Sequence, residues 1–119
     1  PLRLVGSEMC IRDRAYSVYL LQKDDQNIGY LTISRTDGIV LQSLYILSEY
    51  QRQGIGRAAF DFIKAYCREH GAKFFTCHCV PENLNARAFY EKMGGEVIRT
   101  DLANEEPWQN SVTYRFAAA

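Results

Sequence analysis

The feature that most constrains this chain is a change of hydrophobic period at Gly54-Ile55-Gly56. Before it, short apolar runs alternate with turn clusters; after it, Ile55, Ala59, Phe62, Ile63 and Tyr66 fall on one helical stripe. Upstream, Ser17 to Lys23 is rich in tyrosine, leucine and valine and ends at the turn cluster Asp24-Asp25-Gln26-Asn27. Ile28 to Arg35 is a second strand, and Asp37-Gly38 is a tight turn with a glycine suited to positive φ. Ile39 to Ile46 completes an antiparallel meander. Downstream, Gly71 stops the helix, and Lys73 to Val80 returns to a strand. Ala86, Phe89, Tyr90 and Met93 form a second helical stripe, capped by Asn83 or Asn85 and ended by Gly94-Gly95. Glu96 to Arg99 and Ser111 to Phe116 are the last strands. The order βββ-α-β-α-β-β predicts an α/β fold: a mixed, mostly antiparallel sheet flanked by helices.

Charge narrows the partners. Fourteen basic and fourteen acidic side chains cancel, so no global field recruits nucleic acid or an anionic membrane, and an anion site must be local. No apolar run approaches the roughly 18 residues of a membrane helix. Cys10, Cys67, Cys77 and Cys79 form no disulfide framework, which makes a reducing cytoplasm the default. Cys77-His78-Cys79 lacks the usual spacing of a zinc pair, and His78 projects from the other face of its strand, so no metal is expected.

The first fourteen residues read differently from the rest. Leu4 to Asp13 is similar to the translation of a transposase adapter used to prepare shotgun sequencing libraries. The segment has no clean helical or strand period, and Arg12, Asp13 and Arg14 exclude a signal peptide. The expectation is an adapter-derived, non-native segment over 1–14, a core over 15–116 and a tail over 117–119. A native amino-terminal strand is the alternative.

A helix that opens on a glycine turn presents unpaired backbone N–H groups and the positive end of its dipole, both of which attract phosphate. Arg52 and Arg57 flank this turn and add charge-assisted contacts. Three phosphate ligands compete. A P-loop needs Gly-Lys followed by Ser or Thr, where this chain has Gly56-Arg57-Ala58. The pattern Gly54-x-Gly56-x-x-Ala59 fits a dinucleotide fold formally, but polar residues 48–53 separate it from its strand and no acidic residue ends the next one. The third candidate is the diphosphate of coenzyme A.

Leu44-Tyr45-Ile46 followed by Tyr50-Gln51-Arg52-Gln53-Gly54-Ile55-Gly56-Arg57-Ala58 resembles motif A of the GNAT superfamily of acyl-CoA-dependent N-acyltransferases. Asn83-x-x-Ala86-x-x-Phe89-Tyr90-Glu91-Lys92-x-Gly94 is similar to its motif B. The resemblance covers about Ser17 to Phe116 and lies closest to the branch that acetylates protein amino termini. It implies splayed central strands, here Ile39 to Ile46 and Lys73 to Val80, with the family's first strand and two leading helices missing. It further implies that backbone groups of Leu44, Tyr45 and Ile46 hold the pantetheine of acetyl-CoA. The segment Gln51, Arg52, Gln53, Gly54, Ile55, Gly56 and Arg57 takes the diphosphate, and Asn83 contacts the cofactor arm.

The reaction implied is acetyl transfer from acetyl-CoA to a primary amine, carried by a small molecule or a protein, by direct attack on the thioester. Tyr90 is the expected acid for the departing thiolate, and the family position for a catalytic glutamate is occupied here by His78, the candidate base. The acidic loop of Glu105, Glu106 and Trp108 is a candidate acceptor surface. A non-catalytic acyl-CoA-binding module is the rival reading, a dinucleotide-binding domain a distant one, and a homodimer is left open.

Overall fold

In a computed structural model, which describes residues 2–12, 14–102 and 104–118, the chain forms one seven-stranded sheet and two helices on the same face of it. The elements are β1 (Arg3–Ile11), β2 (Arg14–Lys23), β3 (Gln26–Ser34), β4 (Ile39–Ile46), α1 (Ile55–Glu69), β5 (Phe74–Cys79), α2 (Leu84–Lys92), β6 (Glu96–Asp101) and β7 (Ser111–Ala117). The strand order is β1-β2-β3-β4-β5-β7-β6. Every neighbouring pair is antiparallel except β4 and β5, which run parallel.

The meander forms for the reasons its turns suggest. Lys23 pairs with Gln26, so Asp24-Asp25 is a two-residue hairpin loop with φ of 53° and 63°, and Gln26 and Asn27 enter the strand instead of the turn. Gly38 turns the next connection at φ 76°. On the helix-covered face Leu21, Leu31, Ile33, Leu41, Phe75 and Phe116 are buried beneath Ile55, Ala59, Phe60, Ile63 and Tyr66 of α1. The expected stripe is thus present with one shift: Phe60 and Cys67 are buried where Phe62 was expected, and Phe62 meets Tyr19 edge-on at 4.7 Å. Phe60 is drawn inward because α2 lies beside it, with Phe89 at 5.3 Å and Tyr90 at 6.3 Å.

The expectation that the fold's first strand is missing is corrected. Residues 3–11 pair with β2 in continuous antiparallel register, from Arg3 opposite Gln22 to Ile11 opposite Arg14, and fill the sheet edge expected to be missing. Among the described side chains of this segment only Leu2 and Leu4 pack on the core, so they carry little alternation. The ladder is made by main-chain groups, which a hydrophobic period does not report. Gly6 helps, because a Cβ there would run into the ring of Tyr19.

Two features of β4 open the middle of the sheet. Its pairing with β5 is limited to Ile39 with Phe75 and Val40 with Thr76, after which the strands part. The pairing with β3 shifts by one residue between Thr32 opposite Ser43 and Ile33 opposite Leu41, leaving Gln42 as the extra residue of a bulge. Ile39 and Leu41 face the helices before the bulge; Leu44 and Ile46, of opposite parity, face them after it.

Candidate functional site

Where β4 and β5 part, the edge of β4 from 41 to 46 loses its strand partner on that side, and its main-chain donors and acceptors there are left for another extended chain. The bulge turns the Leu44 and Ile46 side chains toward α2, while Tyr45 lies on the opposite face, half exposed and 5.9 Å from Tyr30. The Ile46 carbonyl already accepts from Gln51 Nε2 at 2.9 Å. That bond ties the loop to the strand end. Gln53 braces the loop likewise, donating to the Glu49 carbonyl at 3.1 Å and accepting from Lys23 Nζ at 3.2 Å.

The loop reaches α1 through two left-handed residues, Arg52 at φ 64° and Gly54 at φ 81°. No side chain caps the helix start. Among the described residues nothing accepts from the N–H groups of 52–57; the first internal bond of the turn is Ala58 N–H to the Gly54 carbonyl at 3.0 Å. The donor cradle expected from the sequence is therefore open. The two glycines serve it differently. A Cβ on Gly54 would meet no atom within 4 Å, so its positive φ alone requires glycine. A Cβ on Gly56 would lie 2.9 Å from Phe89 Cζ, so the absence of a side chain there also lets α2 approach closely.

Between the two helices and the free edge of β4 lies a cleft of about 650 Å³. Of the residues expected there, Leu44, Ile46, Gln51, Arg52, Gly54, Gly56, Arg57 and Tyr90 line it. Tyr45, Gln53, Ile55, Asn83 and His78 do not. Ile55 is a core residue, and Asn83 is the N-cap of α2, accepting from Ala86 N–H at 3.1 Å. Asn85, Lys92 and Met93, noted in the sequence only as cap candidate, motif and stripe residues, also line the cleft. The signal for the last two was present, since they stand three and four residues after Phe89 and share its helix face.

Tyr90 joins the cleft to the core. Its ring stacks on Phe60 at 6.3 Å and tilts against Tyr114 at 5.5 Å. Burial, reinforced by the neighbouring Cys77 and Cys79 thiols, raises its pKa above the usual phenol value, so the hydroxyl keeps its proton. Cys77 is pushed up to about 12 by burial, against the opposing hydrogen bond from Tyr90, and is an inert thiol. Tyr114 anchors α2: its hydroxyl donates to Glu91 Oε2 at 2.7 Å and accepts from Arg87 Nε at 3.1 Å.

His78 projects from the face of β5 opposite Cys77 and Cys79, is exposed, and pairs through Nδ1 with Thr113 Oγ1 at 3.2 Å. Among the described residues no group of three His, Cys, Asp or Glu side chains is placed to hold a metal ion. No helix of the described chain is long and apolar enough to cross a membrane. In the loop between β6 and β7, Trp108 is 70% exposed, and Asn104 holds the turn through Asp101 at 3.1 Å and Asn110 at 3.2 Å.

The chain belongs to the acetyltransferase (GNAT) family, whose sequence model matches residues 3–95. Protein YxbD of Bacillus subtilis (strain 168), described as uncharacterized, is 29% identical over 100 residues, covering 83% of this chain and 62% of its own length. An N-acetyltransferase encoded in the pepI 3′ region of Lactobacillus delbrueckii subsp. lactis, also described as uncharacterized, is 26% identical over 85 residues, covering 64% of this chain and 49% of its own. The chain thus spans less than two thirds of the length of either relative. Among solved structures, a GNAT family acetyltransferase from Elizabethkingia anophelis with acetyl-CoA bound superposes with a TM-score of 0.76 at 14% identity, over 86% of this chain and 76% of that one. At that identity the likeness is one of fold.

Proposed function

We propose that this protein transfers an acetyl group from acetyl-CoA to a primary amine. The observation that carries the reading is the row of unengaged amides at 52–57, opening onto a cleft that follows the free edge of β4 to Tyr90. A diphosphate fits those donors and the helix dipole, with Arg52 and Arg57 neutralising its charge. A pantetheine arm fits the free edge of β4 around Leu44, with the Leu44 and Ile46 side chains supplying apolar cover. Bound there, the thioester supplies the acetyl group; the remaining tasks fall to the chain.

Free β4 amides on that edge are placed to donate to a developing oxyanion. Tyr90 stays protonated at all physiological pH and donates to the departing sulfur. Because its pKa is raised, proton transfer comes late, and much of its effect is that of a hydrogen-bond donor. Beyond Val40 and Thr76, β4 and β5 are no longer paired, so an acceptor reaching a thioester there would come from the face of the sheet that the helices leave uncovered. An amine entering from that face meets His78, which is therefore on the acceptor side of the thioester rather than the cofactor side. That placement supports His78 as the base and Thr113 as the group orienting its ring. Asn83 supports the site by fixing the start of α2. The core at 15–116 holds all these groups, and the adapter-like origin of 1–14 belongs to the same proposal.

The test is Tyr90→Phe, assayed by thiol release with a panel of small-molecule amines and amino-terminal peptides, and by titration with acetyl-CoA. Turnover is expected to fall about 100-fold, in the range of general acid catalysis, with affinity for acetyl-CoA changed less than about twofold. Unchanged turnover removes Tyr90 as the acid. Binding of acetyl-CoA without thiol release from any amine would favour the non-catalytic module, and preferential thermal stabilisation by NAD would favour the dinucleotide reading.

A further inference from the structure

The rotation of α2 about its own axis decides where Tyr90 points, and apolar packing alone does not set it. The helix has nine residues and none of them is buried. Phe89 against Gly56, and Tyr90 against Phe60 and Phe116, are apolar contacts, which hold a helix near a sheet without fixing its rotation. The Tyr90 hydroxyl stands about 6 Å from the helix axis, so a roll of about 10° moves it about 1 Å. A misplacement of that size can cost about 100-fold in rate.

The directional tie comes from β7. Tyr114 is fully buried, and its hydroxyl accepts from Arg87 Nε at 3.1 Å and donates to Glu91 Oε2 at 2.7 Å. Arg87 and Glu91 stand three residues before Tyr90 and one after it, four apart on one helix face. One buried hydroxyl therefore grips α2 on both sides of Tyr90, through two charge-assisted bonds. Arg87 also donates to the Pro81 carbonyl at 3.4 Å, which ties the segment before α2 to the same clamp. Tyr114 itself does not line the cleft; its ring lies 5.5 Å from that of Tyr90.

We infer that Tyr114 is a positioning residue for the acetyl transfer: its hydroxyl, held between Arg87 and Glu91, fixes the rotation of α2 and thereby aims the Tyr90 hydroxyl at the departing sulfur. The inference rests on the proposed function. Tyr114 acts through Tyr90 alone, so removing the Tyr90 hydroxyl must make the clamp irrelevant to turnover.

The experiment is a double-mutant cycle of Tyr114→Phe with Tyr90→Phe, read as steady-state turnover and as calorimetric titration of acetyl-CoA. Tyr114→Phe keeps the ring and removes the clamp. Its turnover is expected to fall about tenfold, a part of the loss assigned to Tyr90, with affinity for acetyl-CoA within about twofold of wild type. In the Tyr90→Phe background the same substitution should change turnover less than about twofold. Glu91 is exposed, so Glu91→Ala releases one arm of the clamp without entering the core and should reproduce the loss; Glu91→Gln, which keeps an oxygen acceptor, should retain most of the turnover. Equal losses from Tyr114→Phe in both backgrounds mark a merely structural role and overturn the inference, as does unchanged turnover in Tyr114→Phe or Glu91→Ala; each leaves the proposed function standing. If Tyr114→Phe fails to fold, Glu91→Ala in both backgrounds decides the question in the same way. Unchanged turnover in Tyr90→Phe, or no turnover by wild type, overturns the reading beneath the inference and the inference with it.

Discussion

Gly56 offers the sharpest test of how the site is built, because its two possible roles predict different outcomes. An ideal Cβ at this position lies 2.9 Å from Phe89 Cζ and 3.1 Å from Phe89 Cε1. Carbon atoms rest at about 3.5–4.0 Å, so Gly56→Ala requires the ring to retreat by about 0.6 Å. Phe60, edge-on at 5.3 Å, stands behind it. Overpacking of this kind costs about 1–3 kcal/mol, while alanine regains up to about 1 kcal/mol of helix propensity. The net effect of Gly56→Ala is therefore a loss of about 0–3 kcal/mol. In a Phe89→Leu background the obstruction is gone, and the same substitution becomes neutral or stabilising. The double-mutant cycle, read by urea unfolding, should give a coupling of about 1–3 kcal/mol. Acetyl-CoA titration adds the second arm: since the Cβ points at α2, Gly56→Ala/Phe89→Leu should bind as well as Phe89→Leu alone. A coupling below about 0.5 kcal/mol refutes the packing role. Restored stability with affinity still lost would return Gly56 to the role of letting an anion approach.

Two further outcomes are expected from the same geometry. Asp24 and Asp25 both hold positive φ in a two-residue hairpin loop, where glycine is favoured at the second position, so Asp25→Gly should stabilise by about 0.5–1 kcal/mol in urea unfolding; a lower midpoint would contradict the turn. Stability should also fall in alkali. Cys77 ionises from 9.0 in the unfolded chain but only near 12 when folded. Below about pH 9 both states hold the proton; above it the unfolded state alone releases it, and the loss reaches about 1.4 kcal/mol at pH 10. Cys77→Ala should flatten the difference in unfolding free energy between pH 8 and pH 10, and an equal slope in both proteins would refute the assignment.

The amino-acid sequence by itself determined the local elements and the chemistry of the loop. The stop at Gly71, a cap at Asn83 or Asn85 and a helical stripe starting at Ile55 are set by interactions within a few residues, which periodicity and capping patterns report directly; the structure takes Asn83 as the cap. Only the tertiary structure decided which face each functional side chain meets. The bulge at Gln42 reverses the alternation of β4, sending Leu44 and Ile46 into the cleft and Tyr45 away from it. The second reason for glycine at 56 comes from Phe89, thirty-three positions on. The pairing of residues 3–11 with β2 is a main-chain ladder on a mostly exposed edge, and so left no hydrophobic period to find. His78 and Tyr90 fall on opposite sides of the sheet because His78 alternates with Cys77 and Cys79 along β5, while Tyr90 comes from α2, which packs on the helix-covered face. Contacts between residues distant in sequence leave no period in the chain, and it is these that convert a glycine turn and two helical stripes into a cleft.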